Sequence, residues 1–247
     1  MFPDYFYKLI LTIELLFVIG GIAISVICRK KSKETKKKQW LKYWSYVIIV
    51  HSIVLTVWEK TIFIPLCIVI TVIGLVEVIK ITIQTPVKMM NSMFFIIGYI
   101  LTASLFVGFS KRISSELILF VYLVVAIFDA FSQITGQLFG RHKLAPTISP
   151  AKTIEGAVGG CSCAILLGFG LHSFLAPSLY SPFLIGCIIA ISSLSGDLTS
   201  SWYKRLHNVK DFSNWLPGQG GILDRFNSFI ASAATIFIIS MFRTFHF

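Results

Sequence analysis

Long apolar runs separated by short polar connectors repeat along the whole 247-residue chain. A bilayer core needs about 20 apolar residues per crossing helix, so runs of this length predict membrane spans. The predicted spans are 9–28, 43–58, 61–79, 93–109, 115–138, 157–177, 182–199 and 227–242. The strict alternation of barrel strands is absent. The fold class expected is all-α, a polytopic helical membrane protein with about eight transmembrane helices. The shortest span, 43–58, is parted from the next only by Glu59 and Lys60, and Trp44, Tyr46 and Trp58 near its ends suit the lipid–water interface.

Composition agrees: 55% of residues are hydrophobic and only 13% charged, where soluble chains carry about 25% charged residues. The net charge of +11 would suit a nucleic-acid partner if it were spread over one face. Instead, eight of the 22 Lys and Arg residues fall in 29–42, beside the first span. Such a run is a topology signal that also attracts anionic lipid, so the bilayer is the expected partner and nucleic acid is not. With eight spans, connectors 29–42, 80–92, 139–156 and 200–226 share one side and hold 17 of the 22 basic residues. With seven they would be divided. The positive-inside rule therefore favours eight spans, both termini outside and these connectors in the cytosol, most simply at the cell inner (plasma) membrane. The first span has its positive block after it rather than before it, which is the order of a true span and not of a cleaved leader. The five cysteines lie in or beside apolar runs without metal-ligand spacing and read as buried small side chains.

Chemistry is concentrated in the second half. Residues 1–110 read as N-terminal transmembrane helices with a basic cytosolic loop, and 111–247 as a catalytic transmembrane domain with cytosolic motif loops. In the first part, Glu14, Glu77 and Glu116 near span ends are expected to be interfacial or helix-pairing, and His51 to pack. Asp129 interrupts the apolar run VYLVVAIFDAFSQITG. An acid within a span costs a few kcal/mol, so a buried partner or a metal is expected for it. Downstream, Pro150 is positioned to open a helix capped by Ser149, with Lys152 and Thr153 beside the exposed amides as an anion pocket. Gly156, Gly159 and Gly160 then suit close helix packing.

The richest stretch is Gly196–Ser228, with three aspartates, four Lys or Arg residues and a Pro-Gly-x-Gly-Gly turn between apolar runs. If the helix from 182 continues past Gly196, then Asp197, Ser201, Lys204 and Arg205 share one face. Carboxylates that hold a divalent cation, beside cations that cradle phosphates, fit phosphoryl chemistry. The glycine turn allows backbone amides to approach a phosphate.

These residues closely resemble the phosphatidate cytidylyltransferase, or CDP-diacylglycerol synthase, family. The likeness is carried by Ser201-x-x-Lys204-Arg205, Lys210-Asp211, Pro217-Gly218-x-Gly220-Gly221 and Asp224-Arg225, and upstream by Phe139–Pro146 and Ser149-Pro150-x-Lys152-Thr153-x-Glu155-Gly156. It covers roughly 125–230. Gln219 and Asn227 stand where that family has histidine and aspartate, which marks a divergent member and implies a weaker metal site. The resemblance implies CTP and phosphatidate, or a related lipid phosphate, as substrates, CDP-diacylglycerol and pyrophosphate as products, and Mg²⁺ as cofactor. It implies metal ligands at Asp197 and Asp224, with Asp129 as a third carboxylate. Lys204, Arg205, Lys210, Asp211 and Arg225 become candidate catalytic residues, and Ser149, Lys152, Thr153, Ser201, Gly220 and Gly221 candidate substrate contacts. A homodimer is left open. Three other readings stand beside this one: CMP transfer to another lipid phosphate such as an isoprenoid-ether lipid acid, a catalytically silent paralogue, and a transporter or channel with a cation site at Asp129 and Asp197.

Overall fold

The computed structural model describes residues 5–85, 89–175, 181–216 and 220–244. Among these residues eight helices follow one another: α1 (Tyr5–Cys28), α2 (Lys33–Thr56), α3 (Lys60–Gln84), α4 (Met89–Arg112), α5 (Ser115–Phe139), α6 (Ile154–Leu175), α7 (Pro182–Leu206) and α8 (Leu223–Thr244). Two short strands, β1 (Lys143–Ala145) and β2 (Ser149–Thr153), form a hairpin between α5 and α6. Among the described residues, seven helices are long and apolar enough to cross a membrane. The chain is thus an all-α polytopic integral membrane protein. Helix α2 falls short of that measure because its first ten residues carry five lysines. Much of the basic stretch read as a connector is therefore helical, starting at the Ser32 cap.

Contacts between connectors fix the direction of every helix. At one end, Lys60 Nζ donates to the carbonyls of Ser110 (2.9 Å) and Ile113 (2.6 Å), and Ser115 Oγ donates to Val57 O (2.9 Å). The α2–α3 and α4–α5 turns therefore meet. At the other end, His207 after α7 meets Thr85 after α3, and Arg205 Nε donates to Ile148 O in the hairpin at 3.2 Å. Lys42 of α2 lies close enough to Lys210 and Arg225 to feel their charges. Four connectors thus share one end and α2 runs the full up-down alternation, as the charge parity expects.

The buried core is centred on α5, whose residues 118–128 are all buried. Helices α6, α7 and α8 pack around it, and α3 and α4 close on α8. Helix α1 presents Leu11, Leu15, Val18, Ile22 and Val26 outward, a face suited to lipid. It is tied to α2 by His51 Nε2 against Glu14 Oε1 at 2.9 Å, so both polar residues pair helices. Cys28 and Cys67 are buried, and all five cysteines are free.

Small residues set the α5–α6 distance. A Cβ on Gly156 would stand 2.7 Å from Ser132 O and one on Gly159 2.6 Å from Thr135 Oγ1. A Cβ on Gly160 would overlap Ser132 Oγ and reach Phe128 O at 2.7 Å. Because a backbone oxygen cannot rotate away, Gly160→Ala is expected to destabilise the protein by about 1–3 kcal/mol. Thermal melting in detergent checks this; an unchanged midpoint would mean that α5 and α6 can part without loss.

The hairpin corrects one expectation. Ser149 and Pro150 do not open a helix: they are extended in β2, with Lys143 opposite Thr153 and Ala145 opposite Ser149. Proline tolerates an edge strand, where its missing N–H is not required. The helix begins instead at Ile154, and Thr153 Oγ1 accepts the Gly156 amide (3.1 Å), as an N-cap does. Glu155 then accepts the amides of Arg141 and His142 and meets His142 Nδ1 at 2.6 Å, which closes the hairpin's base.

Candidate active site

Helix α7 does continue past Gly196, because the missing side chain there lets α8 approach; a Cβ would lie 2.6 Å from Ala231 Cβ and 3.0 Å from Asn227 O. The helix therefore carries Asp197, Ser201, Lys204 and Arg205 along one face toward the connector end. Strand β2 brings Lys152 to this face, and its Nζ lies 2.6 Å from Asp197 Oδ2, each side chain about one quarter exposed. Asp197 Oδ1 accepts from Asn227 Nδ2 of α8 at 3.1 Å, and the same amide also donates to Ser200 Oγ. Asp129 of α5 faces this group. Its Oδ1 accepts from Ser193 Oγ (3.2 Å), Ser228 bonds to it as well, and both Lys152 and Asp197 are near enough to act on its charge. Four separate segments thus meet in one polar cluster of two carboxylates, an ammonium, an amide and three hydroxyls.

Deeper in the protein, Lys204 Nζ lies 2.6 Å from Asp224 Oδ1, with the two side chains only 10% and 1% exposed. The second oxygen of Asp224 accepts the amides of Phe212 and Gly221, both at 2.8 Å. Asp224, expected to hold a metal, thus joins α7, the connector and the start of α8 through both oxygens. A divalent cation on Oδ1 would take the place of the Lys204 ammonium.

The glycine turn is read differently once its neighbours are visible. Gly220 has φ +87°, and a Cβ on it would stand 2.7 Å from Asp224 Oδ2 and 3.2 Å from Asp211 Oδ1. On Gly221 it would stand 2.5 Å from Glu77 Oε1. Both glycines make room for carboxylates, and the Gly221 amide is already given to Asp224. Pro217, Gly218 and Gln219 lie outside the described residues.

Arg205 is exposed and pins the hairpin through Ile148 O, and it also reaches Val209 O (3.2 Å). Ser201 is buried on α7. Thr153 caps α6, and Ser149 lies at the far end of β2. Lys210, Asp211 and Arg225 are exposed, and all three are near enough to act on the charge of Lys42 of α2. Burial, then the repulsion of Arg225 and Lys210, holds the Lys42 ammonium below its usual range, and Asp211 offsets part of this. Tyr46 joins α2 to α5: its hydroxyl donates to Ala126 O (2.8 Å), three residues before Asp129.

Several neighbours of these groups carry no mark of that position in the sequence. Ser193, Ser228 and Lys42 are ordinary residues of spans or basic runs, with no local signal. Glu77 and His207 are single titratable groups whose partners lie far along the chain. His207 is fully buried; its Nδ1 meets Thr85 Oγ1 (2.8 Å) and its Nε2 Ser92 Oγ (3.2 Å). Burial holds its imidazole below the usual range, against the pull of the Thr85 carbonyl, and its two ring nitrogens join the α7–α8 connector to Thr85 and to Ser92 of α4.

Fold and site together define a class: a multi-pass membrane protein with paired carboxylates and ammonium groups at the connector end of its helices. The profile of the cytidylyltransferase family matches residues 5–243. A phosphatidate cytidylyltransferase of Rickettsia bellii is 34% identical over 234 residues, covering 87% of this chain and 98% of the relative. Those of Staphylococcus epidermidis and Staphylococcus aureus are 44% and 41% identical over 115 residues, 46% of this chain. The chain spans only 44% of the length of these staphylococcal relatives. The chain belongs to the cytidylyltransferase family.

Proposed function

We propose that this protein transfers CMP from CTP to the phosphate of phosphatidate, giving CDP-diacylglycerol and pyrophosphate. The observation that carries the reading is the convergence of Asp129, Lys152, Asp197 and the Lys204–Asp224 pair, from separate segments, at one end of the bundle. A phosphate monoester carries about −1.5 to −2 charge near neutrality and is its own nucleophile. The protein therefore needs no strong base. It must bring two anions together, align them and compensate the charge of the leaving pyrophosphate.

The residues fit Mg²⁺. Among the described residues there is no group of three or more His, Cys, Asp or Glu side chains able to hold a metal. Mg²⁺, however, is commonly held by one or two carboxylates and completed by substrate phosphates and water. Asp129 and Asp197 supply such a pair, and the serine hydroxyls and Asn227 add only hard oxygen or amide groups. Bound there, the ion would supply charge compensation at the phosphates. An aspartate at 227 would face Asp197 directly, whereas the Asn227 amide donates to it, so this chain holds fewer negative charges at the cluster. Lys152 and Lys204 neutralise carboxylates in the free protein and are the cations nearest to an arriving triphosphate. Lys42, Lys210 and Arg225 form the electropositive approach for the two anionic substrates. We place this end in the cytosol, in the cell inner membrane, with a bilayer rather than nucleic acid as partner.

The test is incorporation of labelled CTP into lipid by purified protein with phosphatidate in mixed micelles. We expect CDP-diacylglycerol formation that stops when a chelator removes Mg²⁺ and returns on its readdition. Bound CTP without product would point to another lipid phosphate as acceptor. Neither binding nor product would mark a catalytically silent member of the family.

A further inference from the structure

Glu77 lies in the last third of an apolar helix, in the part of the chain with no motif, and is only 3% exposed. It stands roughly two turns before the end of α3, deep enough to reach beneath the α7–α8 connector. Both its oxygens are used there. Oε1 accepts from Ser213 Oγ (2.6 Å) and the Ile222 amide (3.0 Å), and Oε2 accepts the Leu223 amide (2.9 Å). Ile222 and Leu223 lead into α8, whose first amides have no partner within the helix. A carboxylate at that position satisfies them and complements the positive end of the helix dipole.

We propose that Glu77 is a positioning residue for CMP transfer, holding the turn that aims Asp224 and Arg225. The proposal rests on the reaction given above. Two carboxylates grip the turn from opposite sides, Glu77 through the amides of Ile222 and Leu223, Asp224 through those of Gly221 and Phe212. Between them Gly221 has no space for a Cβ, so the turn can neither rise from Glu77 nor twist about it without breaking bonds to a buried acid. Asp224 follows Leu223 directly, and Lys204 is locked to Asp224. An error at Glu77 therefore passes within two residues to the buried pair and to the exposed guanidinium of Arg225.

The experiment compares wild-type protein with Glu77→Gln and Gly221→Ala in lipid nanodiscs. The glutamine keeps the volume but turns an N–H₂ group toward the Leu223 amide, donor against donor. Expected are faster hydrogen exchange at the amides of 221–223 and a kcat lowered roughly 10- to 100-fold, as a displacement of about 1 Å produces. The KM values for CTP and phosphatidate should rise by a smaller factor than kcat falls, since of the approach cations only Arg225 follows this turn directly. Gly221→Ala, whose Cβ would stand 2.5 Å from Glu77 Oε1 and so forces the turn off that carboxylate, should reproduce the fall in kcat. Faster exchange with unchanged kcat would overturn the proposal. So would a lower melting midpoint with full activity in the folded fraction, which would make Glu77 a purely structural cap. Wild-type protein that transfers no CMP would overturn the reaction, and with it the catalytic role of Glu77, while the exchange difference would still report the latch.

Discussion

Asp224→Ala is expected to abolish CMP transfer and to weaken the fold at the same time. The carboxylate is 1% exposed and lies 2.6 Å from Lys204. Removing it would strand a buried ammonium, and breaking one half of such a pair costs roughly 3–5 kcal/mol. The amides of Phe212 and Gly221 would lose their acceptor as well. Lys204→Met is the informative companion, because it removes the charge to be stranded. If the double substitution Asp224→Ala with Lys204→Met recovers thermal stability but not turnover, the pair is a reactive element built into a structural position. Recovery of both would show that Asp224 has no part in the reaction. Labelled CTP incorporation and thermal melting, measured on the same preparations, separate these outcomes.

Asp197→Asn should lower activity by roughly 100-fold or more while leaving the melting midpoint nearly unchanged. The contrast with Asp224 follows from exposure. Asp197 and Lys152 are each about one quarter exposed, so an uncompensated Lys152 can turn to water. The substituted side chain can still accept from Asn227 through its carbonyl. The lost charge is the one that faces Asp129 across the cluster, where a divalent ion would be held between two carboxylates. The Mg²⁺ concentration needed for half-maximal activity should therefore rise in the variant. Full activity at the original Mg²⁺ concentration would remove Asp197 from the metal site. Asn227→Asp provides the opposite displacement: it adds a carboxylate beside Asp197 and should lower the Mg²⁺ requirement.

Some of this was legible in the residues alone. Eight helices, their up-down order and the shared side of the basic connectors follow from run length and charge parity, because both report on the cost of polar groups in lipid. The close packing of α5 on α6 was legible in Gly156, Gly159 and Gly160, since small residues at helical spacing have few other uses in a membrane. Even the face carrying Asp197, Ser201 and Lys204 could be drawn, because helical geometry alone sets it.

The roles of those residues were decided only by tertiary structure. Spacing shows that Asp224 and Lys204 are charged and near a span end; it does not show that each is the other's buried partner. The glycine turn suggested a phosphate cradle, and only packing revealed that Gly220 and Gly221 yield space to Asp224 and to Glu77, about 145 residues away along the chain. Ser149 and Pro150 carried the local marks of a helix start, which the pairing of Lys143 with Thr153 outweighed. The physical reason is the same in each case. Periodicity and hydropathy are local and read the solvent a segment sits in, whereas a hydrogen bond or ion pair depends on which distant segment the fold brings within 3 Å.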